Sequence, residues 1–119
     1  MTDGMAATID GERIHPVLGT VALVGLMEQV CRRLLVPHLE PGEEGVGASI
    51  EANHRAPVPV GATIVLTASV AQVGPRQLVC EVLVRQGSAL VARGSFTQAV
   101  VSASEFAADV ASRRSALQG

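Results

Sequence analysis

The sequence has no tryptophan, no tyrosine and only two phenylalanines. Without aromatic side chains there are no platforms on which bases stack, which argues against a nucleic-acid reader of that kind. The net charge of -2 argues against non-specific binding to phosphate backbones. Lysine is also missing: all 9 cationic residues are arginine. That bias runs the length of the chain and reads first as genome composition. Cysteine is scarce, and both copies, Cys31 and Cys80, sit inside apolar patterns. They read as reduced, buried thiols rather than as a disulfide framework or a metal site. No metal and no cofactor is expected. The opening MTDGMAATIDGERI has no basic stretch followed by an apolar run, so no signal peptide is expected, and the chain reads as cytoplasmic.

What is present is apolar and aliphatic. A hydrophobic fraction of 48% in 119 residues is ample for one core, built from Val, Leu, Ile and Ala, and one domain over 1–119 is expected. The longest apolar run, Leu18–Val36, carries one acid, Glu28, near its middle. Glu28, Gln29, Arg32 and Arg33 make a membrane span costly. Leu23, Leu26, Met27, Val30, Cys31, Leu34 and Leu35 recur at spacings of three and four, which predicts a buried helix. Thr20 is its expected N-cap. Pro37 ends it, and Glu40-Pro41-Gly42 makes a turn.

Residues 1–17 form an N-terminal segment with one short strand, Ala6–Ile14, interrupted at Asp10-Gly11 and ended by His15-Pro16. After the helix the period changes to alternation. Strands are predicted over Gly45–Ala56, Ala62–Val73, Gln77–Arg85 and Ala89–Val101, with turns at Gly74-Pro75 and Gln86-Gly87-Ser88. A last helix over Ser104–Leu117, capped by Ser104, lies in the C-terminal segment 103–119. One apolar helix followed by strands on tight turns implies an α+β layer packing with an antiparallel sheet. The exposed edges and the second face of such a sheet favour dimerisation.

Three polar residues stand out against apolar surroundings: Thr20, Glu28 and His54. Eight residues of helix rise about 12 Å, so Thr20 and Glu28 are not direct partners if both are helical. A strand after the helix can carry His54 to either. A carboxylate serves as a general base or a nucleophile towards an activated acyl group. An imidazole polarises a carbonyl or shuttles a proton. Free amides at a helix start suit a developing oxyanion. The plainer readings are a Glu28–Arg32 ion pair at i,i+4 on a solvated stripe, a hydrogen-bonded strand-end His54, a capping Thr20 and a close-packed Gly47. His15 and His38, each beside a proline, are read as non-catalytic. Arg55, Arg76 and Arg93 are read as solvated surface or as contacts to phosphates of a nucleotide-containing thioester.

The stretch from Gly19 to Gly61 resembles the hotdog-fold thioesterases of the fluoroacetyl-CoA thioesterase type. The likeness is carried by Thr20, Leu26-Met27-Glu28, Leu39-Glu40-Pro41-Gly42-Glu43, Val46-Gly47, His54 and Pro59-Val60-Gly61, and continues to Glu105-Phe106. The resemblance implies a hotdog fold, one long central helix wrapped by a curved antiparallel sheet. It implies a homodimer with active sites at the subunit interface, and hydrolysis of an acyl-CoA or acyl-carrier thioester. By carry-over Thr20, Glu28 and His54 are catalytic and Gly47 sits against the thioester. The chain departs from the family pattern at Val21, Ala48 and Gln98. The departures at Ala48 and Gln98 motivate a second reading, a non-catalytic hotdog module that binds acyl thioesters or a partner protein. A hydratase or dehydratase of the same fold has no matching motif.

Overall fold

The computed structural model describes residues 5–9 and 12–118. Its elements in chain order are β1 (Ala6–Ile9), β2 (Glu12–Leu18), α1 (Thr20–Leu35), a single 3-10 turn (Val36–His38), β3 (Glu43–His54), β4 (Val65–Gly74), β5 (Gln77–Gln86), β6 (Ala89–Ser102) and α2 (Ala103–Gln118). Four strands form one antiparallel sheet in the order β3-β6-β5-β4, and β1 and β2 form a separate antiparallel pair. This is the α+β arrangement that the change of period predicts.

Helix α1 lies against all four strands of the sheet. Leu23, Met27, Cys31 and Leu35 are buried at strict four-residue spacing, because every fourth side chain of a helix returns to nearly the same face. They meet Leu78, Cys80, Val82 and Val84, the alternate residues of β5, which are also buried. Cys31 and Cys80 are both free thiols in this core. Burial, and the Cys80 thiol beside it, push the Cys31 thiol up to about 12 from an ordinary 9.0.

Several local expectations are corrected. The N-terminal segment is two paired strands rather than one interrupted strand, and β2 runs through Pro16 to Leu18. Proline is tolerated there because the Pro16 carbonyl still accepts from the Val60 amide at 3.2 Å. The interruption expected at Asp10-Gly11 lies outside the described residues. Gly19, not Thr20, is the N-cap of α1, with no side-chain cap bond. At the other helix, the Ser102 hydroxyl accepts from the Glu105 amide at 3.3 Å, so the capping serine precedes Ser104. The Glu40-Pro41-Gly42 turn forms as expected: Gly42 has φ 84°, and the Glu43 carboxylate accepts from the Glu40 amide at 2.8 Å. Helix α2 buries none of its residues. No helix among the described residues is long and apolar enough to cross a membrane.

Candidate active site

The start of α1 meets the end of β3. β2 leads straight into the helix, and Leu18 is pinned by its amide to the Val58 carbonyl at 2.8 Å. β3 finishes at His54, and the next amides, Arg55 and Ala56, both bond the Val91 carbonyl. The chain ends held this way bring Thr20 and His54 together across 34 residues: Thr20 Oγ1 lies 3.2 Å from His54 Nδ1. The hydroxyl that the sequence predicts as a cap is therefore turned to the imidazole.

His54 Nε2 is buried and has no hydrogen-bond partner among the described residues. A buried polar nitrogen left unmatched is costly, so a water, a ligand or a second chain is expected to supply the partner. When Thr20 donates to Nδ1, Nε2 carries the proton and offers it to an acceptor. The cleft around the pair, about 310 Å³, is lined by Leu18, Gly19, Thr20, His54, Arg55 and Pro57 among others. The first-turn amides of α1 open onto the same corner, where a helix start favours negative charge.

The other two predicted residues lie elsewhere in this chain. Glu28 is exposed, two helical turns beyond Thr20, about 12 Å along the axis. It has no ion pair or hydrogen bond among the described residues. The Glu28–Arg32 pair is not formed: Arg32 turns to the Glu44 carboxylate at 3.4 Å and donates to the Gly45 carbonyl at 3.1 Å. Gly47 lies on β3, seven residues before His54, or roughly 20 Å along the strand. A Cβ at Gly47 would sit 3.2 Å from the Phe96 ring, so packing alone gives one reason for glycine there.

Gln98 has a structural role. It is 2% exposed, and its side-chain amide donates to the Cys31 carbonyl at 2.9 Å. That bond ties β6 to the middle of α1. The signal was present in the alternation, since Phe96, Gln98 and Val100 share a strand face, yet a buried glutamine there is not readable as a helix tie without the fold.

A family model for fluoroacetyl-CoA-specific thioesterases matches residues 1–104. The chain belongs to the fluoroacetyl-CoA-specific thioesterase family. A fluoroacetyl-CoA thioesterase from Streptantibioticus cattleyicolor is 37% identical over 94 residues, covering 79% of this chain and 68% of that protein. A solved structure of a fluoroacetyl-CoA thioesterase superposes with a TM-score of 0.76 at 35% identity, covering 83% of this chain and 73% of the other. A Thermus thermophilus thioesterase superfamily member superposes with a TM-score of 0.92 at 24% identity, covering 98% and 87%, a likeness of fold. The matched stretch holds Thr20, Glu28, Gly47 and His54, and family membership makes the chain a thioester hydrolase.

Proposed function

We propose that this protein is a homodimeric, hotdog-type thioesterase that hydrolyses an acyl-CoA in the cytoplasm, using Thr20, His54 and Glu28. The observation that carries this reading is the Thr20–His54 pair with its unmatched, buried Nε2, inside a stretch matched by the family. The thioester carbonyl accepts from His54 Nε2–H, and Thr20 holds the ring in the tautomer that makes Nε2 the donor. As the carbonyl carbon is attacked, charge grows on its oxygen, which the imidazole and the free first-turn amides of α1 would stabilise. Glu28 takes a proton from the attacking water, the C–S bond breaks, and Glu28 returns that proton to the leaving thiolate; if Glu28 attacks the carbonyl itself, the thiolate leaves with a proton from solvent and water then hydrolyses the resulting anhydride to free Glu28.

A separation of about 12 Å within one chain is too long for Glu28 to act beside His54. Contribution of Glu28 by a second copy removes that difficulty. β3 is a twelve-residue strand at the sheet edge, with its outer side unpaired in the sheet order. Antiparallel pairing of two such edges, centred between Ile50 and Glu51, would bring the second copy's Gly47 opposite His54. Ile50 on that strand is 39% exposed and Val21 at the helix start 86% exposed, both apolar surfaces that a second copy would cover. The free thiols of Cys31 and Cys80 support a reducing compartment. Gln98, whose departure helps to motivate the non-catalytic binding alternative, is engaged in the core rather than at Thr20–His54, which favours catalysis over a binding-only module.

The test is thiol release from a panel of acyl-CoAs by the wild type, Glu28→Ala and His54→Ala. Full activity in both variants would overturn the residue assignment. Refolding a mixture of the two inactive variants tests the shared site: recovery of part of the wild-type activity supports contribution across the interface, and no recovery places both residues in one protomer.

A further inference from the structure

Arg55 lines two cavities at once. One is the Thr20–His54 cleft; the other is a basin of about 260 Å³ on the opposite face of the sheet. The alternation of β3 produces this: His54 turns towards α1, while Glu51, Asn53 and Arg55 turn the other way. Cross-strand register arranges the basin in rows. Asn53 pairs with Arg93 of β6, and the next row joins Glu51, Ser95 and Glu81. Arg55 and Arg93 therefore stem from the end of the basin nearest His54, and Glu51 and Glu81 from one row beyond. Among the described residues neither Arg55 nor Arg93 has a side-chain hydrogen bond or an ion pair, although carboxylates line the same basin.

We propose that Arg55 and Arg93 form the subsite for the phosphates of the nucleotide end of the thioester substrate, with Glu51 and Glu81 accepting from its hydroxyl or amino donors. This deepens the thioesterase reading and rests on it. Guanidinium groups match phosphate oxygens in paired hydrogen bonds, and unpaired arginines beside a reactive cleft are free to make them. The four charges sum to zero, so the basin has little attraction for inorganic phosphate alone. A nucleotide carries phosphate acceptors and, further along, ribose hydroxyls and a base amino group, which is the order of charge the basin presents. The acyl thioester sits at His54, and its flexible arm turns over the end of β3 past Arg55.

The experiment compares an acyl-CoA with the matching acyl-pantetheine, which has the same thioester and no nucleotide, in wild type, Arg93→Gln and Arg55→Gln. In the wild type KM for the acyl-CoA is expected to be lower by about ten- to a hundredfold, the worth of charge-assisted hydrogen bonds to phosphate. In each variant that advantage collapses, with kcat for the acyl-CoA changed far less than KM, and Arg93→Lys restores part of it. Equal KM values for the two substrates in the wild type, or variants that shift both alike, overturn the subsite. So does a carrier-bound acyl group turned over with a lower KM than the acyl-CoA. If neither substrate releases thiol, the thioesterase reading fails by itself. The subsite is then judged by calorimetry with free CoA: binding weakened about tenfold by Arg93→Gln supports it, and no binding to the wild type overturns it.

Discussion

The two ends of α1 are treated in opposite ways. In its middle and towards its C-terminal end the helix is tied into the fold: Arg32 holds Glu44 and the Gly45 carbonyl, and Gln98 holds the Cys31 carbonyl. At the N-terminal end the helix starts without a side-chain cap, Thr20 faces His54, and His54 Nε2 is buried and unmatched among the described residues. The first end is engaged by the chain itself, while the second leaves a buried polar atom for some other partner to match. The contrast also separates stability from activity, so mutations at the two ends should divide cleanly between them.

The largest expected effect is at the open end. His54→Ala, and likewise Glu28→Ala, should lower kcat by about 10²–10⁴, the usual worth of a positioned acid–base group. Glu28 is exposed and unpaired among the described residues, so its removal should change the stability measured by denaturant unfolding by no more than about 0.5 kcal/mol. At the closed end Arg32→Ala should do the reverse, weakening the fold by about 1 kcal/mol while hydrolysis stays within about twofold. An Arg32→Ala enzyme that folds but does not turn over would break the comparison.

Next in size is Gly94→Ala, between the two ends. A Cβ there would lie 2.5 Å from the Glu51 carbonyl oxygen and 2.8 Å from the Met27 side chain. The methionine tip can give way; the backbone oxygen of a paired strand cannot do so cheaply. A loss of about 1–3 kcal/mol in urea unfolding is expected. A loss under about 0.5 kcal/mol would mean that β3 and β6 slide apart easily, which would undercut the fixed spacing between α1 and His54. Smaller again is Thr20→Val, which keeps the shape and removes the hydroxyl: kcat/KM should fall by about tenfold, and Thr20→Ser should recover most of it.

Much of this contrast was legible before the fold was known, and the reasons are local. The four-residue spacing of Leu23, Met27, Cys31 and Leu35 and the alternation of Leu78, Cys80, Val82 and Val84 report burial directly, because period and face are linked by geometry. Helix and strand limits fall within a few residues of those the pattern predicts. Three things were not legible. Thr20 has the chemistry of a cap, and only the approach of β3 decides that its hydroxyl serves His54. Arg32 has an acid four residues away on its own helix, and only the position of β3 offers it Glu44 and a free carbonyl instead. Gln98 looks only like a departure from the family pattern until α1 is seen to present the Cys31 carbonyl to it. In each case a short-range rule loses to a partner supplied from far along the chain.

The smallest effect tests the closed interior, and the composition makes it readable. Burial raises the Cys31 thiol, first by desolvation and then through the neighbouring Cys80, to about 12 against an ordinary 9.0; burial raises Cys80 as well. The native state therefore keeps protons that the unfolded chain gives up. Stability is fully present below the unfolded value and is lost as the pH rises from about 9 towards about 12. At pH 9, where an unfolded thiol is half ionised, the loss for one group is RT ln 2, about 0.4 kcal/mol, and it steepens above that. In most proteins lysines and tyrosines titrate over the same range and hide such a term. This chain has no lysine and no tyrosine, so the thiols are the side chains that ionise there. Urea midpoints measured from pH 8 to pH 10 should fall progressively, and Cys31→Ala should flatten the fall while starting from a lower stability. A midpoint that stays level to pH 10 would mean that Cys31 meets water in the native state, and that the sealed half of the molecule is more open than the Thr20–His54 contrast requires.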